Sequence, residues 1–331
     1  MTGLNNMSPM KISYNQSKVI TPRVVVTCYD FFDRVFPECG LFDLTEGIYN
    51  GDSTTSYEQA QKNQINWILD EVYCQKGSRI LDIGCGYGTL LAMAQERGAE
   101  AIGITISPPQ LQHCRDSGLN ARLLDYRELD ETMAGYFDGI IANGSIEHFV
   151  QPCDVLEGLA DTVYQELFRI CHRVISPASQ VRRLVTTTIH SHEYSPEICP
   201  EELTNGPFAF PIFSGKFHYA LLRKGFGGFY PAPGQLKRCA GPLFKMMNEI
   251  DGTHDYHLTS EKGFKRVKRS LFQWKTGPRI WRKLSSLFFY NPFQTILLCF
   301  GLLVAESWQW QFRGKNPPAK LLRQTWNYQV L

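Results

Sequence analysis

The chain lacks the marks of several large protein classes. Its 331 residues contain no C-x-x-C pair, and the ten cysteines fall at irregular positions: 28, 39, 74, 85, 114, 153, 171, 199, 239 and 299. That spacing argues against a zinc ribbon, a dithiol redox pair or a disulfide framework, and predicts reduced thiols in a cytoplasmic protein. There is no secretory pattern in the polar start Met1 to Asn15, no internal repeat and no low-complexity tract. The nearest approach to a membrane span, Ser285 to Ala305, carries no charge but is interrupted by Asn291, Pro292, Gln294 and Thr295. A spanning helix needs about 20 predominantly apolar residues, so the stretch predicts a buried helix. His190-Ser191-His192-Glu193 has metal-like spacing without a partner cluster, and its histidines are expected at the surface.

Acids are scarce near one end. Residues 256–331 hold 13 Lys or Arg against Glu261 and Glu306, while the first 255 residues are net acidic, so a chain of net charge +2 carries a basic final quarter. A basic face suits an anionic partner, and Lys262, Lys265, Arg266, Lys268 and Arg269 are expected to lie on one helix. Residues 262–283 are therefore the expected contact with an anionic membrane, peripheral at the inner surface. Nucleic acid is not expected, because no RNA-binding motif accompanies the charge.

The elements that are present alternate. Thr55-Ser56-Tyr57-Glu58 has capping-box spacing, and Ile65, Ile68, Leu69, Val72 and Tyr73 then mark one helical face. Arg79–Ile83 reads as a strand entering a glycine cluster, Leu90–Arg97 as a helix stopped at Gly98, and 101–106 as a second strand. A helix at 110–117 follows, with strands at 121–124, 137–142 and 181–189. Strands alternating with helices predict an α/β fold with a mostly parallel sheet covered on both faces. The expected organisation is an N-terminal helical cap (1–76), a core (77–190), a Pro-, Gly- and aromatic-rich lid (191–245) and a basic part completing the sheet (246–331).

Chemistry begins at Asp82-Ile83-Gly84-Cys85-Gly86-Tyr87-Gly88. Glycines at alternate positions after a first strand let the backbone approach a ligand at the carboxyl edge of the sheet. A dinucleotide fingerprint needs G-x-G-x-x-G, and here the third glycine comes one residue early. The acid that usually ends the second strand to hold ribose hydroxyls is absent. In its place stands Gly103-Ile104-Thr105-Ile106-Ser107-Pro108-Pro109-Gln110. The D-x-G-C-G-x-G turn resembles class I S-adenosylmethionine (SAM) methyltransferases. Together with this second strand, Asp125-Tyr126-Arg127-Glu128-Leu129, Phe137-Asp138, Gly144-Ser145-Ile146-Glu147-His148, and Asp255-Tyr256 before Thr259, it is similar to the cyclopropane fatty acid synthase and mycolic acid methyltransferase family.

That resemblance implies a Rossmann-like class I sheet of about seven strands with N-terminal helices and an inserted lid. It implies SAM contacts at Tyr49, Asn50, Gly84, Cys85, Gly86, Thr105, Gln110, Asp125, Tyr126 and Arg127, and a reacting centre at Glu147 and Tyr256. The family's bicarbonate ligands also include a Cys and a His, whose positions here read Gly51 and Thr187. Methyl transfer without bicarbonate-dependent ring closure is therefore expected, to an unsaturated lipid or isoprenoid-like acceptor, with ring faces of Tyr256, Phe210, Phe213 and Phe217 near the developing cation. A soluble small-molecule C- or N-methyltransferase and a catalytically silent SAM- or lipid-binding protein are the alternatives.

Overall fold

The structure, a computed structural model, describes residues 23–42, 45–193 and 195–331. The start read above for a leader lies outside them. Seven strands form one sheet: β1 Arg79–Ile83, β2 Glu100–Thr105, β3 Ala121–Leu123, β4 Gly139–Asn143, β5 Arg183–Ser191, β6 Phe244–Asp251 and β7 Ala319–Tyr328. Their order is β3-β2-β1-β4-β5-β7-β6. The first five run parallel, and β7 pairs antiparallel with both β5 and β6.

Among the described residues, twelve α-helices accompany the strands: α1 Arg23–Val35, α2 Tyr57–Glu71, α3 Thr89–Glu96, α4 Pro108–Asp116, α5 Pro152–Leu156, α6 Ala160–Val174, α7 Gly215–Phe226, α8 Gln235–Ala240, α9 Thr253–Phe272, α10 Gly277–Tyr290, α11 Pro292–Cys299 and α12 Ser307–Trp310. The continuous apolar runs of the central strands are explained by cover on both faces. On one face Leu81, Ile140 and Leu184 pack with Phe168 of α6 and Trp326 of β7. On the other, Ile80 and Val185 pack with Ile65, Ile68 and Leu69 of α2 and Leu91 of α3. Emptying a site such as Phe168 would cost about 3–5 kcal/mol in transfer and cavity terms.

A third cluster forms a roof over the carboxyl edge of the sheet, joining Phe31, Phe32 and Phe36 of α1 to Ile280 and Leu284 of α10, Leu298 of α11 and Trp308 of α12. The segment expected as a lid divides between layers. Its α7 packs against α1, α11 and α12, while Leu236, Cys239 and Ala240 of α8 join the core beside α6.

Local expectations need four corrections. The cap of α2 is Ser56 rather than Thr55: its side chain accepts from the Gln59 amide, and Glu58 pairs with Arg266. Tyr73 lies beyond the helix in left-handed backbone and is exposed, because Val72 already ends the turn. His190 is buried on β5 opposite Lys320, not at the surface, since that strand runs on to Ser191 in full pairing with β7. The basic stretch of α9 is also not a free cationic face. Lys262 donates to the Ser53 and Thr55 carbonyls, Arg266 pairs with Glu58, Lys268 with Glu306 and Lys265 with Glu261.

The uncharged stretch near the end folds as the last turns of α10, then α11 and a π turn, Phe300–Val304, with the break at Asn291-Pro292. Proline has no amide to continue the preceding helix, which accounts for the break. Among the described residues, no helix is long and apolar enough to cross a membrane.

Candidate active site

Strand β1 ends in Asp82 and Ile83, and the chain turns at once. Gly84 has φ +85°, and a Cβ there would stand 2.7 Å from Ser145 Cβ, so conformation and space both demand glycine. The Gly84 and Cys85 amides donate to the Ile104 carbonyl at 2.9 and 3.0 Å, pinning the turn against β2. Gly86 has φ +53°, yet no atom lies within 4 Å of its Cβ position. This open side belongs to a cavity of about 210 Å³ that also reaches Thr105, Asp125, Glu147 and Tyr256.

A carboxylate from a different element holds the end of β2. Asp33, on α1, accepts from Tyr87 Oη at 2.7 Å, Ser107 Oγ at 2.6 Å and Gln110 Nε2 at 3.1 Å. Thr105 Oγ1 donates to Gln110 Oε1 at 2.9 Å, which fixes that amide's orientation. Burial raises the Asp33 pKa, and the three donors work against that rise. Sequence reasoning missed Asp33 because its partners lie 54 to 77 residues away and its own helix shows only an amphipathic pattern.

After β3, Asp125 caps a short 3₁₀ turn and forms a two-pronged pair with Arg127, Nε to Oδ1 at 2.9 Å and Nη2 to Oδ2 at 2.8 Å. The ring of Tyr126 stacks on Phe149 with centroids 4.3 Å apart. After β4, the Ser145 hydroxyl donates to the Ile83 carbonyl at 2.8 Å and ties this loop to the glycine turn.

Glu147 follows on a 3₁₀ turn and is buried. Loss of water, with the Glu46 charge adding to it, pushes its pKa up to about 8. Glu46 itself is ion-paired to Arg323 at 3.1 Å, and Arg323 reaches Asp255 at 2.8 Å. Burial lowers the His148 pKa to about 4, and its Nε2 lies 3.1 Å from the Tyr29 hydroxyl. Tyr29, Phe32 and Phe36 of α1, Phe226 of α7, Tyr230, Tyr256 of α9 and Trp308 of α12 complete the aromatic walls. Tyr256 packs on Phe312 at 4.4 Å.

Ten of the twelve residues expected at the site thus line this cavity: Gly84, Cys85, Gly86, Thr105, Gln110, Asp125, Tyr126, Arg127, Glu147 and Tyr256. Tyr49 and Asn50 do not. Tyr49 is buried under α9, its amide donating to Asp255 and Lys262 Nζ lying 4.8 Å above its ring, while Asn50 and Gly51 form an exposed left-handed turn. The part of this segment that reaches the cavity comes earlier, at Phe42 and Thr45. Thr187 donates to Asn143 Oδ1 at 2.6 Å, and Asn143 also accepts from Gln64. Phe210 and Phe217 are buried against Leu221 and Leu297, outside the cavity, and Phe213 is exposed.

A sheet of this order, with a glycine turn after β1 and polar loops after β2 to β4 at one edge, defines the class I methyltransferase fold. The family model described as mycolic acid cyclopropane synthetase matches residues 29–200, and the chain belongs to that family. A probable fatty acid methyltransferase of Mycobacterium tuberculosis is 35% identical over 105 residues, 29% of this chain and 24% of that protein. A ubiquinone biosynthesis O-methyltransferase of Pseudomonas aeruginosa is 33% identical over 124 residues, 36% of this chain and 48% of its own. The chain thus matches less than half the length of these curated relatives. A mycolic acid cyclopropane synthase solved with SAH and CTAB superposes with a TM-score of 0.66 at 18% identity, over 93% of this chain and 99% of that one, a likeness of fold.

Proposed function

We propose that the protein transfers a methyl group from SAM to an unsaturated lipid or isoprenoid-like acceptor. The observation that carries this reading is one cavity running from the Gly84–Gly86 turn to Glu147 and Tyr256 beneath aromatic walls. The open Cβ side of Gly86 fits a ligand that needs close backbone approach, and Thr105 and Gln110, the latter held by Asp33, offer polar groups for hydroxyls beside it. Asp125 and Tyr126 suit a purine's amino group and face, and Cys85 borders the same space. When bound, SAM supplies an electrophilic methyl group.

This chain's own part is to hold the acceptor in line and to tolerate positive charge on it. The rings of Tyr29, Tyr230, Tyr256 and Trp308 can face that charge, each contact worth about 0.5–2 kcal/mol. Glu147, whose pKa burial pushes up to about 8, can in its ionised form offset the charge or take up a proton. Bicarbonate is not required in this reading. Gly51 lies on an exposed turn and Thr187 is engaged by Asn143, so neither stands free as a ligand beside Glu147.

The test is incubation with methyl-labelled SAM and unsaturated lipids, with and without bicarbonate, followed by fragmentation of products that gain 14 mass units. Label in a methyl or methylene branch, unchanged by bicarbonate, is expected. A ring-closed product stimulated by bicarbonate, or label confined to polar small molecules, would overturn the reading.

Lipid acceptors are met at membranes, and we infer a peripheral docking edge for an anionic bilayer. The support lies in α10 and α11 rather than α9. Trp281 and Arg282 are exposed near the start of α10, and Phe289 (85%), Tyr290 (83%) and Phe293 (67%) at the break before α11. Trp274 (81%) and Lys275 stand in the preceding turn. Aromatics with interspersed cations suit the headgroup boundary. Co-sedimentation with vesicles containing phosphatidylglycerol should weaken with salt and fall further in the Phe289→Ser/Phe293→Ser double variant. Equal partitioning of that variant and the parent would remove the docking edge.

A further inference from the structure

Arg223 lies in the last turn of α7, and the residue is buried at 8% exposure. None of its three guanidinium nitrogens has a hydrogen-bond partner among the described residues. The neighbouring acceptors are already engaged. Lys216 Nζ holds both oxygens of Glu202 at 2.8 and 2.7 Å, Tyr164 Oη donates to the Phe229 carbonyl, and Tyr230 Oη donates to Gln311. Tyr219 offers only its ring face, 5.3 Å away. A cation at a helix C-terminus gains from the dipole, but that leaves five N–H donors out of water without acceptors. Burying a charge in this state is among the most costly arrangements a fold can adopt.

The guanidinium borders a small void of about 10 Å³, closed by Tyr219, Gly228 and Phe229. Its remaining walls, Leu222, Gly227 and Tyr230, also line the large cavity. Gly228 packs directly on Glu147, since a Cβ there would fall 2.1 Å from the Glu147 carbonyl oxygen. The void therefore adjoins the acceptor end of the cavity. We propose that Arg223 anchors a carboxylate carried by the acceptor. A carboxylate gives a guanidinium short, charge-assisted hydrogen bonds, and the void has room for about one of its oxygens beyond the cavity wall. A tetrahedral phosphate, with three terminal oxygens, is bulkier and needs more room than the void offers. The ligand class is thus an unsaturated apolar acid, and the assignment rests on the cavity being the acceptor site.

Equilibrium binding tests this without turnover. Oleate and oleyl alcohol, both below their aggregation concentrations, are titrated into the full chain and into the Arg223→Met and Arg223→Lys variants. The parent should bind oleate at least about tenfold more tightly than the alcohol. Arg223→Met should lose that preference while binding SAH like the parent, and should melt at the same or a higher temperature because an unpaired buried charge has gone. Arg223→Lys should keep part of the preference. Equal affinity of the parent for acid and alcohol, or a preference that survives in Arg223→Met, would overturn the anchor. If Arg223→Met fails to fold, the parent's acid-to-alcohol ratio and the Arg223→Lys variant still decide. Loss of the preference leaves methyl transfer to neutral lipids intact, and absence of methyl transfer leaves the measured preference intact, so the two readings fail separately.

Discussion

At the glycine-turn end of the cavity, Asp33, Tyr87, Ser107 and Gln110 hold one another in hydrogen bonds, and Asp125 and Arg127 do the same. At the Glu147 end, Glu147 Oε2 and the whole Arg223 guanidinium are buried without partners among the described residues. A satisfied network is rigid and positions a ligand of fixed shape. Buried, unsatisfied polar groups store free energy that a ligand can release. The first end suits a constant cofactor and the second a reacting acceptor, so a change at one end should spare the other.

Glu147→Gln tests that separation with the largest effect. Turnover should fall by a factor of roughly 10² or more, with SAM affinity little changed, if the carboxyl moves a proton or offsets charge. An equal loss in cofactor affinity would join the two ends. Gly86→Val is the reciprocal experiment. Its side chain would enter the open space of the turn at a φ of +53°, so SAM binding should fall well over tenfold, a loss greater than about 1.4 kcal/mol, while oleate binding holds. Undiminished SAM affinity in a folded variant would move the cofactor elsewhere.

Much of the first end was legible in the sequence because it is local. The turn at 84–88, Thr105 with Gln110, and Asp125 to Arg127 each lie within a few residues of a strand end, and the sheet brings strand ends together. The second end is assembled from distant elements: Tyr29 from α1, Phe226 from α7 and Trp308 from α12 meet only through helix packing, and no short-range pattern announces them. Tyr49 and Asn50, which do not line the cavity, teach the same lesson. A family resemblance implies them at the site, but Tyr49 is buried with its amide on Asp255, and Asn50 and Gly51 form an exposed left-handed turn. Charge counting erred on α9 for a related reason, since composition does not show which lysines already face carboxylates or carbonyls.

A subtler probe asks whether the two ends communicate through charge. Glu147 is mostly protonated at pH 7, given a pKa of about 8. The sulfonium of SAM is a cation and would favour the ionised carboxyl, whereas neutral SAH would not. Calorimetric titrations in buffers of different ionisation enthalpy should detect release of a large fraction of one proton with SAM, little with SAH, and little with SAM in Glu147→Gln. Equal release with both ligands would separate Glu147 from the methyl donor.

The smallest expected effect is on stability against pH, and it comes from the acceptor end and its surroundings. His148 and His190 have pKa values lowered by burial to about 4, against about 6.5 for an unfolded histidine. Each contributes stability that is present above about pH 6.5 and lost as pH falls toward 4, because the unfolded chain binds protons that the folded one excludes. Glu147 has the opposite sign. Its folded pKa is about 8 against an unfolded value of about 4.3, so its contribution is present at low pH and lost as pH rises through 8. Between about 4.5 and 6.5 the two histidines outweigh the one carboxyl and these groups make stability rise with pH. Between 6.5 and 8 Glu147 is the one of these three groups that still titrates differently in the two states, and its part of the stability falls by up to about 1.4 kcal/mol per pH unit. Melting temperature without ligand should therefore peak near pH 6.5. Glu147→Gln should remove the decline above that pH and leave the acid side unchanged, whereas His148→Gln should make the acid side shallower. A parent whose melting temperature is flat from pH 6.5 to 8, or a decline that persists in Glu147→Gln, would mean that Glu147 is ionised in the free protein.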